Sequence, residues 1–304
     1  MGVGDGVVRG ATRIIDGGST AQRFNLVLVG EGFRESELDV FASDCEDFVD
    51  ALFATKPFDE LRGAFNIFRL DVASRESGAR DPVACGGTGA DPRTYFDATF
   101  CTGGVRRALT VDDSLVLDVV ERQVPAFHSA QVIVNSSIYG GTGGAIGVSS
   151  HATRKDDGTP VVWQETPLHE MGHSIFGLAD EYEYRQGCDS GERGQDRAVG
   201  GEPSEENVTR SPRAAGKWSD LLTTATLPTT SNPDCSKCDP QANPVGADVV
   251  GTFEGAGTFH CGMYRPQFVC KMRKLSEPFC AVCRRVIRET LAPYQPRSAR
   301  TPPP

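Results

Sequence analysis

Short apolar runs alternate with stretches of helical spacing along this chain, which predicts an α/β (α+β) fold with a mixed or largely parallel sheet packed on helices. Near the middle, His169 and His173 stand four residues apart, a spacing that a helix turns into one shared face. After that point the texture changes: residues 187–234 are rich in glycine, acids and proline and read as a long loop or insertion.

The elements follow in order. Residues 1–16 are glycine-rich, weakly patterned and read as frayed, within an N-terminal extension over residues 1–23. Residues 24–30 (FNLVLVG) are an apolar run closed by glycine, as suits a buried strand. From Glu35 to Phe53, apolar side chains at Leu38, Phe41, Cys45, Phe48, Val49, Leu52 and Phe53 recur at helical spacing. Residues 65–72 and 130–135 read as two more strands, with a helix over 114–123 between them. A glycine-rich stretch, 139–147, has no Gly-Lys-Ser/Thr ending and no following helix for a phosphate to sit upon; it reads as a loop leading into an edge strand, Ala145 to Ser150. An extended peptide can add to such an edge. Within 187–234 only a short helical patch near Trp218 is expected, and residues 278–291 close the fold as a helix. One catalytic domain, 24–291, is expected, with 292–304 as a tail whose last eight residues, Arg297 to Pro304, are frayed.

Composition bounds the function. With 38% hydrophobic and 24% charged residues the chain is globular, and no apolar run is long enough to span a membrane. A net charge of −10 with no basic stripe argues against a nucleic-acid partner. Ten cysteines, an even number, predict an oxidising compartment and disulfides, hence secretion. The first residues, MGVGDG, lack a basic region followed by an apolar core, so a signal peptide is expected to be absent from this chain. Asn135-Ser136-Ser137 and Asn207-Val208-Thr209 are glycosylation triplets that decide little by themselves.

The chemistry concentrates at residues 166–182, TPLHEMGHSIFGLADEY. His169 and His173 can offer ring nitrogens to one tetrahedral ion, which leaves Glu170 free as a general base that takes a proton from water and passes it to a leaving amine. One catalytic zinc ion is the implied cofactor. Thr166 is placed to cap the helix and Pro167 to occupy its first position. A third ligand is needed, and Asp180 is favoured over Glu181. In a continuous helix Asp180 would lie roughly 10 Å beyond His173, so Gly177 must break the helix in a left-handed conformation. The competing reading is a solvated helix that carries the pattern by accident.

Other groups stay open. Cys235, Cys238, Cys280 and Cys283 have the spacing of a four-cysteine zinc site, although disulfides among all ten cysteines suit a secreted chain better. Tyr264 and Arg265 are candidates to stabilise an oxyanion, with Tyr264 the tentative catalytic one, set against a plain structural turn. His128, His151 and His260 read as structural or surface residues.

The motif resembles the signature of the IgA-peptidase family of secreted zinc metallo-endopeptidases. So do residues 24–33, Lys56-Pro57-Phe58 leading to 65–68, Ser74 to Gly78, Val134-Asn135-Ser136 with Tyr139-Gly140-Gly141, and 262–266 with Cys270-Lys271-Met272. The resemblance covers about residues 24–287. It implies a zincin-like catalytic domain with a twisted mixed sheet, metal ligands His169, His173 and Asp180, Glu170 as base, Met272 as a methionine turn beneath the metal, and a protein or peptide substrate. By residue type alone Met272 is ordinary core filler. The rival functions are a catalytically silent binding protein or adhesin of the same fold, and a zinc amidase acting on cell-wall peptide.

Overall fold

A computed structural model describes residues 5–184, 188, 195–239 and 241–296. The expected tail at Arg297 to Pro304 lies outside the described residues. The chain forms two compact units, Met1–Ile175 with Arg288–Pro304, and Phe176–Ile287.

The first unit is built on a six-stranded sheet. In chain order its elements are β1 (Gly6–Ile15), β2 (Phe24–Glu31), α1 (Leu38–Ala54), β3 (Phe65–Ser74), α2 (Asp113–Gln123), β4 (Ser129–Val134), β5 (Gly141–Gly143), β6 (Gly147–Ser150) and α3 (Glu165–Ser174). The strand order is β1-β3-β2-β4-β6-β5. Its four central strands are parallel, and β1 and β5 add antiparallel at the margins, so the sheet is mixed as the sequence predicts.

Strand β2 is buried at every residue, which explains its unbroken apolar run. Alternate side chains face opposite ways. Val27 and Val29 join Val116, Val119 and Val120 of α2 in one core cluster, whereas a Cβ on Gly30 would lie 3.0 Å from the Phe41 ring of α1. The two helices therefore cover opposite faces. Asp112 caps α2 by accepting from the Leu115 N–H at 3.0 Å, and the helix begins at Asp113, one residue ahead of the predicted start.

Two expectations are corrected. Residues 6–15 are not frayed: they pair with β3 along its length, from Gly6 opposite Ser74 to Ile15 opposite Ile67. Glycines, arginines and a mostly half-exposed surface hide this edge strand from a search for apolar alternation. The segment Ala145–Ser150 does not supply an edge. Its strand β6 is hydrogen-bonded to β4 on one side and β5 on the other, and the margin is β5, formed by the glycine run itself.

The second unit contains β7 (Gln195–Arg197), β8 (Phe253–Ala256) and β9 (Phe259–Arg265) in the order β7-β9-β8, followed by α4 (Ala281–Leu291), which begins within it. Residues 198–239 and 241–252 are largely irregular, with a short 3-10 turn at Ser219–Leu221. They are nonetheless anchored. Trp218 is fully buried and donates its indole N–H to the Gly251 carbonyl at 2.8 Å. Two disulfides, Cys188–Cys238 and Cys235–Cys261, tie this unit, and Cys85–Cys101 ties a loop of the first. Among the described residues no helix is long and apolar enough to cross a membrane.

Candidate active site

Helix α3 starts at Glu165, with Gln164 at its N-cap, so Thr166 does not cap it. The turn that precedes it, in which Glu165 N–H donates to Val162 and Thr166 N–H to Trp163, already carries helical geometry and moves the start upstream. Pro167 remains in the first turn, where its missing N–H leaves no partner unpaired. The helix ends at Ser174, whose hydroxyl donates to the Glu170 carbonyl, and Gly177 follows with φ +58°. This left-handed residue is the break the sequence required.

Residues Thr166 to Gly172 of α3 are all buried, and His173 is half-buried. The Nε2 atoms of His169 and His173 lie 3.2 Å apart, with ring planes at 84°. Two nitrogens on one tetrahedral zinc, each about 2.0–2.1 Å from it, stand about 3.3–3.4 Å apart. The pair fits a shared ion. Two histidines and Glu170 also form a convergent group in which each ligand atom lies within 4.8 Å of the others.

Strand β5 packs directly on this helix. A Cβ on Gly143 would stand 2.5 Å from the Cβ of His173, and one on Gly141 would stand 2.9 Å from Glu170 Oε1. The glycine run therefore permits close approach of the sheet margin to His173 and Glu170. Gly143→Ala is expected to lower stability by about 1–3 kcal/mol through overpacking and, by displacing His173, to weaken retention of a metal ion held by that side chain. Thermal denaturation and competition with a chelator check both; unchanged values would show that the strand can retreat without consequence.

Within the second unit, the main-chain N–H of Glu181 donates to the Met272 carbonyl at 2.7 Å, and Met272 is fully buried. The segment carrying Asp180 is thus bonded to the predicted methionine turn. Asn207 clamps the same segment: its Oδ1 accepts from Ala179 N–H, while its amide donates to Ala179 O and to Glu181 Oε1 at 3.0 Å. Sequence reasoning saw Asn207 only as part of a glycosylation triplet, and nothing local in the sequence signals the clamp.

Glu181 is fully buried, and its surroundings are Asn207, Cys280 and Cys283. Burial pushes its carboxyl well above the usual range, with a further rise from Cys270, against the opposing bonds from Asn207 and Cys283. Tyr264 lies on β9 with its phenol hydrogen-bonded to Glu254; burial, reinforced by that carboxylate, pushes its pKa up. Arg265 is buried, and its guanidinium donates to Glu254 O, Gly255 O and Phe268 O, a structural use.

The cysteine expectation is corrected in both forms. Cys235 and Cys238 belong to separate disulfides, with Cys261 and Cys188, so they cannot join Cys280 and Cys283 on one ion. Nor do all ten pair, because Cys45, Cys270, Cys280 and Cys283 are free and buried. The remaining histidines have structural partners, as expected. His128 accepts from Asn25 N–H and stacks on Phe24, His151 bonds Asp44 at 2.8 Å, and His260 bonds the Cys235 carbonyl.

A model of the family described as IgA Peptidase M64 matches residues 12–239 and 240–291 of this chain. No curated protein gives a significant match.

Proposed function

Because this chain belongs to the IgA peptidase M64 family, a metallopeptidase family, we propose that it is a secreted zinc endopeptidase in which His169 and His173 hold the metal and Glu170 is the general base. The observation that carries this reading is the 3.2 Å convergence of the two Nε2 atoms, with the Glu170 carboxylate buried on the same helix.

Zinc bound there would acidify water and polarise a peptide carbonyl. The protein's own groups do the rest. Glu170 takes a proton from the attacking water and delivers it to the departing amine nitrogen, so one carboxylate serves bond formation and bond cleavage in turn. Burial in its helix and against Gly141 of β5 holds that carboxylate in place and limits water. The substrate backbone is proposed to add to the sheet margin at β5, in place of the Ala145–Ser150 edge that the sequence predicts. Three disulfides support an exported protein.

Asp180, eleven residues after His169 in the motif, is proposed as the third ligand. The commitment of Glu181 to Asn207 and two cysteines favours Asp180 over its neighbour. Asp180→Ala is expected to lose one zinc ion per chain, relative to the native protein, together with cleavage of a diverse peptide library. Full zinc content in that variant would remove Asp180 from the ligand set, and a native enzyme that cleaves small amides but no peptide in the library would remove the endopeptidase reading.

Tyr264 is proposed as the oxyanion donor, exchanging its bond to Glu254 for the developing charge. Tyr264→Phe should then reduce kcat by about 10²–10³-fold with little change in KM. A kcat within error of the native value would leave Tyr264 a structural partner of Glu254.

A further inference from the structure

We propose that Glu181, Cys270, Cys280 and Cys283 form a second metal site, a buried tetrahedral centre of three thiolates and one carboxylate that takes a structural zinc ion. All four residues lie in the second unit, apart in sequence from His169 and His173. Their ligand atoms all lie within 4.8 Å of one another, and all four residues are buried.

The spacings are those of ligands around an ion. Cys270 and Cys283 Sγ are 3.7 Å apart, and Glu181 Oε1 is 3.4 Å from Cys283 Sγ and 3.7 Å from Cys280 Sγ. With Zn–S near 2.3 Å and Zn–O near 2.1 Å, tetrahedral edges are about 3.8 Å between sulfurs and about 3.6 Å between sulfur and oxygen. A disulfide requires about 2.05 Å. Three thiols cannot all pair with one another, so one would remain beside a buried carboxylate whichever two were oxidised.

The surroundings suit anionic sulfur. Cys280 N–H donates to Cys270 Sγ at 3.2 Å and Cys283 N–H to Cys280 Sγ at 3.4 Å, the outer bonds that orient metal-bound thiolates. Cys280 immediately precedes the eleven-residue helix α4 and Cys283 lies in its first turn, where the helix dipole favours negative charge. Glu181 Oε2 is buried and has no hydrogen-bond partner among the described residues. A buried carboxylate oxygen of this kind is costly without a cation or a proton. Asn207 orients the other oxygen.

Binding would release the thiol protons to solvent and join three separate segments, at 181, 270 and 280–283, to one centre. Because Asp180 directly precedes Glu181 and Met272 follows Cys270 by two residues, the ion would fix the backbone beneath the methionine turn. Its role is structural: four protein ligands leave no position open for substrate.

The test separates this centre from the catalytic one. The full-length His169→Ala/His173→Ala chain should still carry about one zinc ion, measured by elemental mass spectrometry. Adding Cys280→Ser/Cys283→Ser should remove it. Should the quadruple variant fail to fold, cobalt exchange into the histidine-less protein answers instead: a thiolate-to-cobalt charge-transfer band is expected, and alkylation of Cys270, Cys280 and Cys283 should require a chelator. Zinc-free histidine-less protein, or a disulfide among these three cysteines in a non-reducing peptide map, would overturn the proposal. Neither outcome bears on whether the native chain cleaves peptides.

Discussion

Glu170→Gln is expected to lower peptide hydrolysis by about 10²–10⁴-fold, the range for loss of a positioned general base. The amide nearly matches the carboxylate in size and shape, so it fits against Gly141, where Glu170 Oε1 already sits within the reach of a single Cβ. Helix α3 is buried from Thr166 to Gly172, and its fold should be unaffected. What the amide cannot do is accept a proton from water and return it to the amine. The prediction is therefore a fall in kcat with zinc content unchanged, read from single-turnover cleavage and elemental analysis of the same preparation. Native-level turnover would refute the role of Glu170; loss of zinc would make it part of the metal's support instead.

Glu31→Gln should destabilise the first unit by about 2–3 kcal/mol, the cost of leaving a buried donor without its acceptor. Glu31 ends β2 and is completely buried. Its Oε2 accepts from Phe96 N–H at 3.0 Å and its Oε1 from Ala98 N–H at 3.0 Å, so both oxygens are occupied by main-chain donors. Ser74 joins the same network, receiving Tyr95 N–H and Gly32 N–H and donating to Glu31. A glutamine would turn its NH₂ toward one of those N–H groups.

The same residue gives a pH dependence with a definite sign. Burial, the largest cause, raises the Glu31 carboxyl above its ordinary value of 4.5, against the lowering bonds from Thr94, Phe96, Ala98 and Gly32. The folded chain therefore keeps this proton to higher pH than the unfolded chain does. The group's contribution is fully present below the unfolded value and is lost as pH rises through the raised folded value. Denaturant titrations at several pH values should show the gap between native protein and Glu31→Gln narrowing from acid toward neutral pH. A gap that widens in that direction would mean that the folded state prefers the carboxylate.

The buried core was legible because its signals are local. The run at β2 and the helical spacing of Phe41, Cys45, Phe48, Val49 and Leu52 are properties of neighbouring residues, and so is the His169–Glu170–His173 triplet. Gly177 was readable for a similar reason, since one left-handed residue decides where a helix ends. What escaped depends on partners distant in sequence. Strand β1 owes its order to pairing with β3, not to an apolar pattern of its own. Which strand is marginal follows from β6 being paired on both sides. Cysteine pairing is likewise a property of the fold: Cys235 and Cys238, three residues apart, go to different partners, while Cys270 meets Cys280 and Cys283 across ten or more residues.

The clamp formed by Asn207 also bears on how the protein is made. Its side chain is wholly enclosed and all its polar contacts serve Ala179 and Glu181, yet it stands in an Asn-Val-Thr triplet. An oligosaccharide is bulky and needs a surface position. A sugar attached while the chain was still unfolded would have no room once the segment around Ala179 closed over it, and folding of the second unit would stop there. The architecture is therefore compatible only with a biosynthetic route that leaves this asparagine bare.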